Sequence, residues 1–226
     1  MVSEDTSLFT QQRIAEIYVQ YSKKYHNYTK AFEDFVNIVP KESNVLEIGV
    51  GNGNFTEKLI EHKYDVCGID RSKKMLDHAS ERVRSVCVQS DLLDYIPNDT
   101  FDIIFSHSGG FTFKSGRFET YYQDPEKLKK ALYKVFKLLK KNGLFLVNKH
   151  KQKNIIKFSK EITLKIDYKL LEDLQYHTYT LSDHGKNIIL KDKRLSLSKK
   201  NLELFSYSYF TWDFCSSNNW IIGKRK

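Results

Sequence analysis

The chain has 226 residues, 40% of them hydrophobic, and carries a formal net charge of +9. That length fits one domain with a sizeable core, and no apolar run approaches the roughly 20 residues a membrane helix needs. The polar, acidic start Met1-Val2-Ser3-Glu4-Asp5-Thr6 carries no secretory leader pattern, so a cytoplasmic location is expected.

Residues 8 to 38 read as helical. Ile14, Ile17, Tyr18, Tyr21, Tyr25 and Tyr28 recur at three- and four-residue steps, and Phe32, Phe35 and Val36 continue the stripe. Pro40 closes the segment. Next comes Val45-Leu46-Glu47-Ile48-Gly49-Val50-Gly51-Asn52-Gly53-Asn54-Phe55. Three apolar residues around an acid read as a short buried strand. Glycines then alternate, and Phe55 to Ile60 opens a helix. A strand turning this tightly into a helix offers backbone N–H groups beside a surface without Cβ atoms, a place for a ligand to lie against bare backbone.

The second strand, Tyr64 to Asp70, is apolar and ends in a carboxylate. In an open parallel sheet, ligands bind beyond the carboxyl ends of the strands, at the switch point in strand order. An acid there, roughly 20 residues after a glycine loop, is placed to accept from both ribose hydroxyls of a nucleoside. The pattern is E-x-G-x-G-x-G. Asn54 stands where a dinucleotide fingerprint has its last glycine, and the lysine and Ser/Thr of a Walker loop are missing.

Helices are expected at about 54–62, at 72–84 with Ser72 as N-cap, and at 125–140, opened by Asp124-Pro125. Strands are expected near 44–48, 65–69, 85–89, 101–106 and 143–148. This alternation argues for a parallel sheet with right-handed crossovers. Beyond Asn148 the texture becomes strand-rich, at 161–166, 175–181 and 187–190, with a turn at Asp183-His184-Gly185-Lys186. We read an antiparallel insertion of two or three strands there. A short helix near 198–206 and a closing hairpin, 207–214 and 220–224, complete the chain.

These motifs in order, across about residues 15 to 150, resemble the class I S-adenosylmethionine-dependent methyltransferases. The resemblance implies an α/β fold: a Rossmann-like seven-stranded sheet with helices on both faces. It implies one domain in four parts: an N-terminal helical lid (1–40), a cofactor-binding core (41–149), an antiparallel substrate cover (150–195), and a final helix and strand hairpin (196–226). It implies S-adenosyl-L-methionine as cofactor, with contacts from Tyr28, Glu47, Gly49, Gly51, Asn52, Gly53, Asp70, Arg71, Met75, Asp91, Leu92 and Ser106. Asp70 would hold the ribose and Asp91 would lie near the adenine amine. The loop Ser106-His107-Ser108-Gly109-Gly110-Phe111-Thr112-Phe113 would lie over the methyl group, making His107 a candidate base, with His150 a second.

No metal is expected, because methyl transfer from a sulfonium needs none. Cys67, Cys87 and Cys215 lack metal or framework spacing and read as free thiols. The lysines are spread along the chain rather than gathered on one face, which argues against a nucleic-acid partner and is compatible with an anionic small substrate. The layout is similar to that of the sugar N-methyltransferases, so a small-molecule acceptor is expected, with an RNA or protein acceptor as the alternative. A monomer or homodimer is expected.

Overall fold

A computed structural model describes residues 12–25, 28–107, 110–114, 116–120, 122–150, 155–157, 160–217 and 219–226. The expected first helix is two. Helix α1 (Gln12–Tyr25) and helix α2 (Thr29–Ile38) are distinct elements, with Tyr28 at the N-cap of α2. Then come β1 (Asn44–Ile48), α3 (Asn54–Glu61) and β2 (Asp65–Asp70). The helix expected over 72–84 is also broken, into α4 (Lys73–Leu76) and α5 (Glu81–Arg84). The break has a local cause. Ser72 and Ser80 each cap a new helix, accepting from Met75 N and Val83 N.

The chain continues with β3 (Cys87–Gln89), β4 (Phe101–Ser106), β5 (Phe111–Lys114), β6 (Arg117–Thr120), α6 (Pro125–Leu138) and β7 (Leu139–His150). Asp124 caps α6 and Pro125 fills its first turn, as the sequence implies. Last come β8 (Ile155–Lys157), β9 (Ile162–Leu171), β10 (Leu174–Asp183), β11 (Lys186–Ser198), α7 (Lys199–Phe205), β12 (Phe210–Asp213) and β13 (Trp220–Arg225).

Strands β3-β2-β1-β4-β7 are parallel neighbours, and the antiparallel pair β13 and β12 completes a seven-stranded Rossmann-like core. The sequence missed hairpin β5–β6, reading its start as loop. This hairpin joins the core to the later strands: β5 runs beside the end of β7, and β6 pairs with β11. Among the described residues one thirteen-stranded sheet therefore runs through the molecule. The β10–β11 turn has positive φ at His184 (48°) and Gly185 (80°), the primed geometry that a two-residue hairpin prefers.

The core has two sides, as alternation along buried strands requires. Leu46, Ile104, Phe145 and Val147 pack on one face with Leu128, Leu132 and Val135 of α6. Val45, Ile103, Phe105 and Leu146 pack on the other with Phe35 of α2, Phe55 of α3 and Trp220. Helices on both faces leave the carboxyl edge of the parallel strands open for a site. Among the described residues, no helix is long and apolar enough to cross a membrane.

Candidate active site

The cleft lies where β1, β2 and β4 end. It encloses about 1050 Å³ of empty space, open mouth included. Its glycine loop is built by backbone bonds. Gly49 N and Val50 N donate to Ile69 O at 2.8 and 3.2 Å, and Gly53 N donates to Val50 O at 3.0 Å. Gly51 N donates to Asp70 Oδ2 at 2.7 Å. The sequence suggested N–H groups left over for a ligand. Instead these four are used within the protein, and the loop's contribution is its bare surface. Gly49, Gly51 and Gly53 all have positive φ, which costs a non-glycine residue strain.

Gly53 is the tightest of the three. A Cβ there would sit 2.5 Å from Val83 Cγ1, at φ +80°. Gly53→Ala should cost roughly 1–2 kcal/mol in left-handed backbone strain and about 1–3 kcal/mol in overpacking. Gly116 is a matched control, also at φ +80° but with nothing near its Cβ position. Denaturant unfolding should show a clearly larger loss for Gly53→Ala than for Gly116→Ala; equal losses would remove the packing argument.

Asp70 is fixed by two backbone donors, Gly51 N on Oδ2 and Ser72 N on Oδ1, each at 2.7 Å. A carboxylate has about four acceptor positions, so both oxygens keep capacity for a ligand's hydroxyls. Arg71 and Met75 line the same wall, with Met75 buried. On the adenine side, Asp91 Oδ1 accepts from Leu93 N and from Tyr122 Oη, both at 2.9 Å. Leu92 lines the cleft beside it. The sequence reading missed Tyr122, whose hydroxyl is held protonated well above the usual tyrosine range by burial and by the Asp91 charge. Its one sequence signal was position, just before the Asp124 cap.

The lid side is tied to the loop through a residue also missed from sequence. Ser22 Oγ of α1 accepts from Asn52 Nδ2 and Asn54 Nδ2, both at 3.2 Å. Asn54 Nδ2 also lies 3.3 Å from Tyr28 Oη, so the residue that spoils the dinucleotide pattern here links helix, loop and tyrosine. Ala15 and Val19 pack on Met75. Tyr18, Tyr28, Asn52 and Asn54 all line the cleft.

His107 lines it too, in an aromatic box: 4.9 Å from Phe55 in a stacked arrangement, 5.1 Å from Tyr28 and 5.9 Å from Trp220. Gly53 and Ser106 are not among the lining residues. Gly53 caps α3, while Ser106 is fully buried and its Oγ accepts from Phe111 N at 3.2 Å, closing the loop that carries His107. Ser106 therefore shapes the loop rather than the wall, because its strand alternation turns it toward the buried side. Position 150 ends β7 opposite Lys114, and the His150 side chain lies outside the described residues, as do Ser108 and Gly109.

The methyltransferase domain family matches residues 45–143 of the chain. An uncharacterized methyltransferase of Anoxybacillus flavithermus is 30% identical over 170 residues, 71% of this chain and 74% of the relative. The chain belongs to the methyltransferase family. Similar solved structures agree on the fold. An S-adenosylmethionine-dependent methyltransferase from Clostridium acetobutylicum shares 19% identity at a TM-score of 0.68, covering 95% of this chain and 97% of that one. A sugar N-methyltransferase from a Streptoalloteichus species shares 14% at 0.64, covering 93% and 92%. The fold is that of the class I S-adenosylmethionine-dependent enzymes.

The residues present fit that cofactor. The Cβ-free loop gives a surface for close approach, the Asp70 side chain is oriented by two donors, and Glu47 lines the same cleft. Glu47 is 1% exposed and accepts from Thr56 Oγ1 at 2.5 Å. Burial, opposed by the Thr56 bond and helped by the Asp70 charge, pushes its carboxyl from 4.5 up to about 8. Between those values the folded methyltransferase keeps a proton that the unfolded chain releases, so this group makes stability fall as pH rises through that window. Glu47→Gln should remove the effect. Its unfolding midpoint should gain on the wild type progressively from pH 5 to 8; parallel curves for the two proteins would contradict the buried proton.

Proposed function

We propose that this methyltransferase moves the methyl group of S-adenosylmethionine to a nitrogen or oxygen of a small polar molecule, a nucleotide-linked sugar or a related biosynthetic intermediate, in the cytoplasm. The observation that carries the reading is the placing of His107 in the same cleft as the glycine loop and Asp70. The cofactor supplies an activated methyl on sulfur, so the protein's work is to position the acceptor, exclude water and, where needed, take up a proton. In this reading Asp70 holds the ribose, Glu47 accepts from the cofactor's ammonium, and Asp91 with Tyr122 borders the adenine. His107 orients or deprotonates the acceptor, with His150 as a second candidate.

The charge of the cleft favours a small acceptor over RNA. Arg71 is the one lysine or arginine among its described lining residues, so the described wall of the cleft itself carries little positive charge. The strands after β7 act as the substrate cover, and the segment before β1 as the lid. The fold shared with a sugar N-methyltransferase is consistent with the acceptor class.

The test is methyl transfer from isotopically labelled S-adenosylmethionine into separate pools of purified small metabolites, bulk RNA and denatured protein, with the labelled product identified by mass. Label appearing in RNA or protein alone would defeat the small-molecule reading.

A further inference from the structure

One end of the cleft holds a carboxyl group with one oxygen fully engaged and the other left over. Asp91 opens a turn just after β3. Its main-chain oxygen accepts from Asp94 N at 3.2 Å and Tyr95 N at 3.0 Å, and its own Oδ1 accepts from Leu93 N at 2.9 Å. A short acidic side chain readily folds back in this way onto the backbone two residues ahead. The second donor to Oδ1 comes from a distant part of the chain. Tyr122 Oη reaches it at 2.9 Å. Among the described residues both donors go to Oδ1, and Oδ2 takes none. Asp91, Leu92 and Tyr122 all line the cleft.

Tyr122 is itself held in place. It follows β6, through which the sheet extension runs on to β11, β10, β9 and β8. Its N–H donates to Thr120 Oγ1 at 3.2 Å. Thr120 is 1% exposed and pairs with Phe111 on one side and Leu195 on the other. The Tyr122 ring lies 6.1 Å from Phe111 and packs on the core that contains Leu92 and Leu128. Burial keeps the hydroxyl protonated, so toward Asp91 it is a donor.

An anchored Oδ1 fixes where Oδ2 points. Two donors arriving from different elements hold the carboxyl group in one rotation. The oxygen left over complements a ligand donor. The ladder says which part of a ligand meets it. Asp70 pairs with Gln89, and Ser90 N donates to Asp70 O at 3.0 Å. Asp91 therefore stands two residues beyond the partner of Asp70, on a strand about 4.8 Å away. A nucleoside whose ribose meets Asp70 brings its base to this end. A 6-aminopurine offers Oδ2 an N–H, whereas a 6-oxopurine sets an oxygen against it.

We propose that Tyr122 is a positioning residue that makes the cleft select a 6-aminopurine over a 6-oxopurine, by holding Asp91 Oδ1 so that Oδ2 faces the exocyclic group of the base. It rests on the cofactor binding proposed above, and adds a specificity-determining residue to it.

The experiment titrates the full chain by calorimetry with S-adenosylhomocysteine and with S-inosylhomocysteine, which carries oxygen in place of the amine. Wild type should bind the adenosyl compound about tenfold more tightly or better, as expected when one acceptor is set against another. Tyr122→Phe keeps the ring and removes the donor. The preference should then fall about threefold or more, through weaker binding of the adenosyl compound. In an Asp91→Ala background the same substitution should change neither affinity, because its effect runs through Asp91. Asp91→Asn decides should Tyr122→Phe unfold. Its carbonyl takes the two donors and its amide faces the base, so the preference should reverse. A merely structural tyrosine would move Tm and leave the ratio of the two affinities as it was. An unchanged ratio in folded Tyr122→Phe, an effect that persists without Asp91, or an adenosyl preference kept by Asp91→Asn overturns the positioning role and leaves cofactor binding standing. Equal wild-type affinity for the two compounds overturns the base selection. Wild-type protein that binds neither overturns the cofactor reading, and this inference with it.

Discussion

His107→Ala is expected to lower kcat by about 10²–10⁴-fold, the usual contribution of a positioned general base. The ring stands on a loop directly after β4, at the edge where the reacting groups meet, and it is stacked 4.9 Å from Phe55. Packing against Tyr28 and Trp220 limits the rotation of the ring. Imidazole accepts a proton near neutrality only in its neutral form. Steady-state kinetics with S-adenosylhomocysteine titrations in parallel check this, and cofactor affinity should stay close to wild type. A loss confined to the acceptor's KM would assign His107 to shaping the pocket. Unchanged kinetics would exclude both roles and turn attention to His150, or to an amine acceptor that needs no base.

Asp70→Ala should weaken S-adenosylmethionine by about 1.5–3 kcal/mol, the range for hydrogen bonds to a charged group, which is roughly 10- to 150-fold in Kd. The loss has two sources in the geometry. The ribose loses its acceptor, and Gly51 N and Ser72 N lose theirs, so the loop is no longer pinned. Asp70→Asn separates them: a side-chain carbonyl can still accept from one backbone N–H, but the charge is gone. Calorimetry should rank wild type above Asn above Ala. Wild-type affinity in both variants would take Asp70 out of the site.

The core was legible in the sequence because its signals are local. Glycines must fall where φ is positive, Ser72 and Asp124 must precede the helices they cap, and Asp70 must end its strand. What stayed hidden depends on contacts distant in sequence. Hairpin β5–β6 is stabilised by pairing with β7 on one side and β11 on the other, so its short apolar run read as loop. The hydroxyl of Tyr122 reaches Asp91 only after the chain has folded across 31 positions. Ser22 meets Asn52 across 30. Ser106 followed the motif but not the strand alternation, which sends it behind the wall. The acid pattern of Glu47 was visible, whereas its retained proton comes from complete burial.

The single sheet decides where the molecule can open. Swinging the extension outward would break the β5–β7 pairs at Phe113 and Lys114. Failing that, it would break all four β6–β11 pairs from Arg117 to Thr120 together. Among the described contacts, the opposite wall meets the glycine loop through the two side-chain bonds at Ser22 and its neighbour Met75 through small apolar contacts of Ala15 and Val19. Detaching α1 costs far less than unzipping a backbone ladder. Traffic of cofactor and product is therefore expected on the helical side, past the two side-chain bonds at Ser22.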